Sequence, residues 1–178
     1  MKNPRGRGET GSSARPEPKK ARIEYVNDLG DTRLFVHLMG TLIHRIDMDR
    51  RRLYESDLDR ACVAGAVALQ SADANLRLAE FRAKYRDLHQ IIGLDAQTGI
   101  NALSIAQYTG IPRETVRRKL KRLVEQGAVV EKSRGSYVIK PGFPQKPESI
   151  AVIQGAMRYT LQFMNDCLAM GLIKVVDR

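Results

Sequence analysis

The sequence predicts a mainly helical fold that contains a short helix, a glycine turn, a strongly basic helix and a small β-hairpin. Apolar residues recur at three- and four-residue spacing over much of the chain between residues 32 and 126, which is typical of amphipathic helices. The spacing changes to alternation after Gly127, as expected for short strands. Positive charge is concentrated in two segments, which indicates a local binding surface and not a general property of the protein surface.

The position of the charge indicates the kind of partner. The 178-residue chain has a net charge of +10. Residues 1–22 hold seven basic and two acidic residues, and residues 112–142 hold nine and three, whereas residues 23–111 hold ten and twelve. Such a localised basic excess favours an anionic partner, either nucleic acid or a membrane surface. No run approaches the roughly 18 apolar residues of a membrane span, so we expect no membrane partner.

Composition divides the chain into four regions. Residues 1–24 are rich in Pro, Gly, Ser and Lys and are predicted to be a disordered basic tail. Residues 25–95 form a helical region. Residues 96–142 contain the basic helix and the hairpin, and 143–178 contain a long amphipathic helix that we interpret as a dimerisation helix.

Three helices are predicted within the helical region. The first starts at Thr32, with Asp31 as its N-cap, and the second starts after Ser56 or Asp57. The third is predicted to cover residues 74–93. The second helix has a face of small side chains, which we interpret as a groove for a partner helix. This face comprises Ala61, Ala64, Gly65 and Ala68.

Local signals mark each boundary between residues 103 and 140. A short helix ends at Gly110, and Pro112 fixes φ at the start of the next helix, 113–126. Gly127 is the stop signal of that helix. Two β-prone stretches, 128–133 and 136–140, are joined by a turn at Arg134-Gly135. The predicted inner face of helix 113–126 comprises Val116, Leu120, Leu123 and Val124.

This order of elements is that of a winged helix-turn-helix. A helix can lie in the DNA major groove when its inner face is anchored and its outer face is cationic or polar. We therefore predict a recognition helix at 113–126 in the major groove and a wing at 128–140 on the backbone or in the minor groove. On a helical wheel, the outer side comprises Glu114, Arg118, Lys121 and Arg122. Phosphates would offset the repulsion among these cations.

Residues 103–140 also resemble bacterial winged helix-turn-helix transcription regulators of the GntR and MarR kind, chiefly through the phrase TGIPRETVRRKL. The resemblance implies that early recognition-helix residues meet bases or phosphates, that the preceding helix touches phosphate, and that the wing tip reaches the minor groove or backbone. The residues so implied are Arg113, Glu114, Thr115, Arg117 and Arg118; Ser104, Gln107 and Tyr108; and Arg134.

The function predicted is a sequence-specific, duplex-DNA-binding transcription regulator that acts as a homodimer. The C-terminal helix carries an apolar stripe at three- and four-residue spacing, as helix-pairing seams do. Folding of this helix back onto its own chain remains the alternative. A small-molecule effector is left open. The stripe comprises Ile150, Ile153, Met157, Leu161, Met164 and Leu168.

Other classes find less support. No catalytic constellation, nucleotide loop or metal-ligand cluster is visible, so we expect no enzyme, no cofactor and no metal. The three histidines are isolated, at His37, His44 and His89. Two cysteines, Cys62 and Cys167, and the lack of a secretory signal indicate the cytoplasm. The alternatives are a winged-helix scaffold for protein partners and a DNA-binding protein of replication or partition.

Overall fold

The structure is a computed structural model that describes residues 21–26 and 29–177. This part of the chain is mainly helical, with two small antiparallel sheets. The helices are α1 (Thr32–Leu53), α2 (Leu58–Leu76), α3 (Ala79–Lys84), α4 (Ala102–Thr109), α5 (Arg113–Glu125) and α6 (Pro147–Ala169). The strands are β1 (Ala21–Tyr25), β2 (Ile100–Asn101), β3 (Val129–Ser133), β4 (Ser136–Ile139) and β5 (Ile173–Asp177).

One hydrophobic core joins α2, α4, α5 and the three-stranded sheet. The sheet has the strand order β2-β4-β3, with both pairs antiparallel. Side chains from each element interlock in this core, and the fully buried ones include Val67 of α2, Ile105 of α4 and Leu120 of α5. The core therefore crosses the boundary that composition suggested at residue 95, because α2 belongs to the same packed unit as α4 and α5.

A second unit, the arm, consists of α1 and α6 together with the two-stranded sheet β1–β5. The helices pack against each other, with the Tyr159 hydroxyl donating to Asp49 Oδ2 at 3.0 Å and Arg45 donating to Gln162 Oε1 at 2.8 Å. The Phe35 and Phe163 rings meet edge to face. None of the 22 residues of α1 is fully buried, although ten of them are apolar. The arm thus leaves much of the apolar surface of α1 only partly covered.

The local signals predicted several boundaries to within one or two residues. Helices α4 and α5 and the hairpin β3–β4 lie where glycine and proline placed them. Asp57 caps α2 by accepting a hydrogen bond from the Arg60 amide at 3.0 Å. Asp31 is the N-cap of α1 but makes no capping bond through its side chain.

The prediction of one continuous helix over residues 74–93 is wrong. Helix α2 extends to Leu76, Leu78 is extended, and α3 ends at Lys84. The following loop is held by tertiary contacts, since Gln145 Nε2 donates to the Leu88 carbonyl at 2.6 Å. These contacts override the helical periodicity of the segment.

The small-residue face of α2 is not a groove for a partner helix. Ala61 and Ala64 are buried inside their own chain, and a Cβ at Gly65 would lie 3.3 Å from the guanidinium of Arg50. Only Ala68, of the four residues proposed, is exposed. The face serves intramolecular close packing instead.

Both ends of the described chain form strands that composition did not predict. Residues 21–24, assigned to the tail, belong to β1, and Ile173–Asp177, within the predicted C-terminal region, form β5. The register pairs Ala21 with Asp177 and Tyr25 with Ile173. The rest of the predicted tail, residues 1–20, lies outside the described residues.

Two helical glycines make a matched test of the arm. A Cβ at Gly40 of α1 would meet nothing within 4 Å, so Gly40→Ala should stabilise the protein by about 0.5–1 kcal/mol through helix propensity. A Cβ at Gly155 of α6 would lie 2.6 Å from Asp49 Oδ2. Gly155→Ala should therefore lose that gain and lower the free energy of unfolding. Urea denaturation of both variants measures the difference, and equal stabilisation would contradict the close packing of α6 on α1.

Candidate nucleic-acid interface

The turn between α4 and α5 is built from local hydrogen bonds. Asn101 caps α4 by accepting from the amides of Leu103 and Ser104, both at 3.0 Å. Gly110 ends α4 with φ of 72°, a conformation that costs glycine little. Pro112 then opens α5, and its carbonyl accepts the Val116 amide at 3.0 Å. The residues of the turn therefore fix the local path of the chain from α4 into α5.

The sequence of α5 separates its side chains into two faces. Val116, Leu120 and Leu123 are buried in the core. Val124, predicted to join them, is 41% exposed. Five cations of the helix are exposed, and they are Arg113, Arg117, Arg118, Lys121 and Arg122. No side chain caps the first turn of α5, so its amide groups add partial positive charge at the end where Arg113 lies.

Few acids neutralise this face. Arg117 is 3.7 Å from Glu114 and Arg122 is 3.0 Å from Glu125, both at i,i+3 spacing. Such exposed pairs contribute roughly 0–1 kcal/mol, so an incoming phosphate can replace them. Arg118 and Lys121 form no ion pair within residues 21–26 and 29–177.

Lys119 is the exception among the cations of α5. Its ammonium group donates to Asp57 Oδ2 at 2.6 Å, and both side chains are largely shielded from water. Burial by itself raises the pKa of Asp57, but the hydrogen bonds from Lys119 and the Arg60 amide, with the nearby positive charges, lower it overall. The pair joins the start of α2 to the middle of α5 and orients the exposed face.

The hairpin β3–β4 lies beside this face. Gly135 has φ of 73° at the hairpin tip, and the adjacent Arg134 is exposed. The pKa of Tyr137 on β4 is raised, first by burial and then by the Glu131 carboxylate, and the nearby positive charge of Arg117 opposes that rise. Lys132 is tethered, since its ammonium group donates to the Gln97 carbonyl at 2.8 Å.

Most of the predicted site residues lie on α4 and α5, at exposed or half-buried positions. Ser104 is half-buried and Gln107 and Tyr108 are exposed on α4, while Glu114 is exposed and Thr115 half-buried on α5. These residues and the exposed cations of α5 lie on two consecutive helices joined by a three-residue turn. Arg134 stands apart at the tip of the hairpin.

Sequence reasoning missed two features of the site. The Asp57–Lys119 pair joins residues 62 positions apart, and no local pattern signals such a contact. Strand β2 has only two residues and pairs with β4 through Ile100 and Asn101. The β-branched Ile100 beside a capping asparagine is the only signal that could have indicated it.

Other candidate chemistry gains no geometric support. Within the described residues, no group of His, Cys, Asp or Glu side chains is arranged to hold a metal ion. His37 and His44 are both exposed on α1. Burial raises the pKa of the Cys167 thiol, and the carboxylate of Asp166 raises it further, so this thiol is a poor nucleophile. Among the helices described, none has the length and apolar character needed to cross a bilayer.

Comparisons of the chain with protein-family models, with curated proteins and with solved structures give no match.

The Asp57–Lys119 pair can be tested by substitution and by pH. Asp57→Asn keeps a capping acceptor and removes the charge, whereas Asp57→Ala removes both and should cost about 1 kcal/mol more. Because the folded-state pKa of Asp57 is lowered, its charge stabilises the fold fully above about pH 3.9 and progressively less as the pH falls below that value. Urea denaturation should therefore show that the difference in free energy of unfolding between wild type and Asp57→Asn becomes smaller below about pH 4. A gap independent of pH would contradict the role of the charge.

Proposed function

We propose that this chain is a cytoplasmic, sequence-specific regulator of transcription that binds duplex DNA as a dimer through a winged helix-turn-helix. The observation that carries the proposal is the division of α5 into a buried aliphatic face and a face of five exposed cations. A helix anchored on one side and cationic on the other fits the major groove in shape and in charge.

The surrounding elements support this assignment. The order α2, β2, α4, α5, β3, β4 and the sheet order β2-β4-β3 are those expected when a hairpin follows a recognition helix and packs beside it. In the proposed complex, α5 contacts bases and phosphates through Arg113 and Arg118, and Arg134 contacts the backbone or minor groove. The uncapped first turn of α5 offers backbone amides to a phosphate.

The first test is the dependence of DNA affinity on salt. If several of these cations meet phosphates, the slope of log K against log salt should be about −0.9 per contact, or roughly −4 to −8 in total. Fluorescence anisotropy with a labelled duplex, from low to moderate salt, measures it. A flat response, or no binding at low salt, would contradict DNA binding and favour a protein scaffold.

The second test separates sequence readout from general affinity. On the best duplex from an unbiased selection, Arg113→Ala or Arg118→Ala should each cost about 1–3 kcal/mol and cost less on random DNA. Arg134→Ala should weaken binding to the selected duplex and to random DNA by similar amounts. Arg33→Ala removes an equal charge from the exposed start of α1 and should change neither. Equal losses on selected and random DNA for all three test variants would show that α5 does not read bases.

The dimer is supported by the uncovered surface of the arm. The apolar stripe predicted on α6 faces away from α1 at its most exposed positions, where Met157 is 62% and Leu161 59% exposed. Helix α1 adds Val36 and Ile43, which are exposed and seven residues apart. Helix α6 carries only Glu148, Arg158 and Asp166 as charged residues, so an identical copy would meet little like charge.

The size of this surface fits a second copy. Helices α1 and α6 have 22 and 23 residues, and two such helices side by side present a face of roughly 700 Å². A stable interface buries about 800 Å² on each partner. A twofold dimer would place two α5 helices on successive turns of the duplex, about 34 Å apart.

A charge in the stripe tests the dimer. Leu161→Asp should give a folded monomer with much weaker binding to the selected duplex, because Leu161 is too exposed to be needed for the fold of one chain. Gln162→Glu adds the same charge on the side of α6 that meets α1, keeps an acceptor for Arg45, and should leave the dimer intact. Light scattering reports the mass, and a wild-type mass of 20.0 kDa at micromolar concentration would exclude the dimer.

A further inference from the structure

A small cavity lies where the C-terminal half of α2, the loop at 85–92 and the segment at 139–145 meet. Its volume is about 170 Å³. A protein cavity of about 150 Å³ is known to hold a benzene molecule, so this one has room for a single ring with a small substituent. The cavity lies on the side of the core where the hairpin joins α6.

The walls of the cavity are largely apolar. They are formed by side chains from all three segments, so an occupant would be in contact with each of them. The apolar wall comprises Ala68, Leu88, Ile92, Ile139, Pro141 and Pro144.

Among the polar groups that line the cavity, two are poorly satisfied by the protein. Gln145 lines it, and because Gln145 Nε2 is committed to the Leu88 carbonyl, Gln145 Oε1 is left buried without a hydrogen-bond partner. Ser71 also lines the cavity and is 2% exposed, and its hydroxyl makes only a 3.5 Å contact with the Ala68 carbonyl. Asp87 adds a carboxylate. What the buried Gln145 Oε1 lacks is a donor.

We propose that this cavity binds a small organic molecule of single-ring size that carries a hydrogen-bond donor, with Gln145 Oε1 as the acceptor that recognises it. The apolar wall selects the ring, and the acceptors select the donor. The proposed binding site rests on the cavity and its lining residues, and it does not depend on the proposed function of the protein.

The cavity is connected to the hairpin through Gln97. This buried side chain lines the cavity, and its Nε2 donates to the Ile139 carbonyl of β4 at 3.0 Å. The backbone carbonyl of Gln97 accepts from the Lys132 ammonium group of β3 at 2.8 Å. An occupant therefore touches a residue that holds both strands of the hairpin. An effect of the occupant on DNA affinity rests on the proposed function, whereas binding itself does not.

Two probes that differ by one donor test the site on the full chain. Benzyl alcohol and toluene are both single rings, and only the alcohol carries an O–H group. In amide-resolved NMR titrations, benzyl alcohol should shift resonances within 85–92 and 139–145. Toluene should bind about fivefold more weakly, the factor expected from one hydrogen bond of ordinary strength.

Variants locate the binding. Gln145→Leu should reduce the affinity for benzyl alcohol to that for toluene, while Gln145→Glu retains an acceptor and should retain the preference. Gln107→Leu, at an exposed glutamine of α4 outside the cavity, should change neither affinity. Ala68→Leu should weaken both probes at least tenfold by filling the space, at a position exposed enough to tolerate it.

Several results would overturn the proposal. The first is the absence of shifts in both segments up to the solubility limit of the probes, which is the result for a cavity that holds only water. The second is equal affinity for the two probes, and the third is an unchanged preference for benzyl alcohol in Gln145→Leu. Since no measurement here uses DNA, failure of the site is distinguishable from failure of the proposed function.

Discussion

The packing of α5 against α2 is the constraint on which the exposed basic face depends. Helix α2 presents small or β-branched side chains to the core, among them Ala64 and Val67, and this allows close approach. Once Leu120 and Leu123 point inward, the helical period directs the remaining positions of α5 to solvent. Lys119, on the border between the faces, is held by Asp57. Concentrated charge on one helix is thus a consequence of how its apolar residues are anchored.

The arm is held together by a different balance of forces. Its helices meet through an aromatic edge contact and through polar bonds such as Tyr159 to Asp49, with Gly155 permitting the approach. No side chain of α1 is fully buried, so the arm removes less apolar surface from water than the core does. The arm therefore gains more than the core from a further surface placed against it.

Local signals made the α4–α5 turn and the hairpin predictable, since Gly110, Pro112 and Gly135 each restrict the backbone at their own position. The exposed cations of α5 followed from its period. Long-range contacts had no such signal. The pairing of Ala21 with Asp177 spans nearly the whole sequence, and the loop after Lys84 follows contacts with Gln145 rather than its own helical pattern. Sequence therefore indicated the elements of the site better than the contacts that orient them.

The connectivity of the arm also determines the order in which it can form. Helix α1 precedes the core in the chain and α6 follows it, so α1 leaves the ribosome about a hundred residues before its partner. At roughly 5–20 residues per second, α1 waits some 5–20 s without the surface that covers it. The core, whose elements are close in sequence, has time to fold in that interval. The pairing of β1 with β5 can form only after that interval, and until then the exposed apolar residues of α1 lack the contacts that α6 supplies.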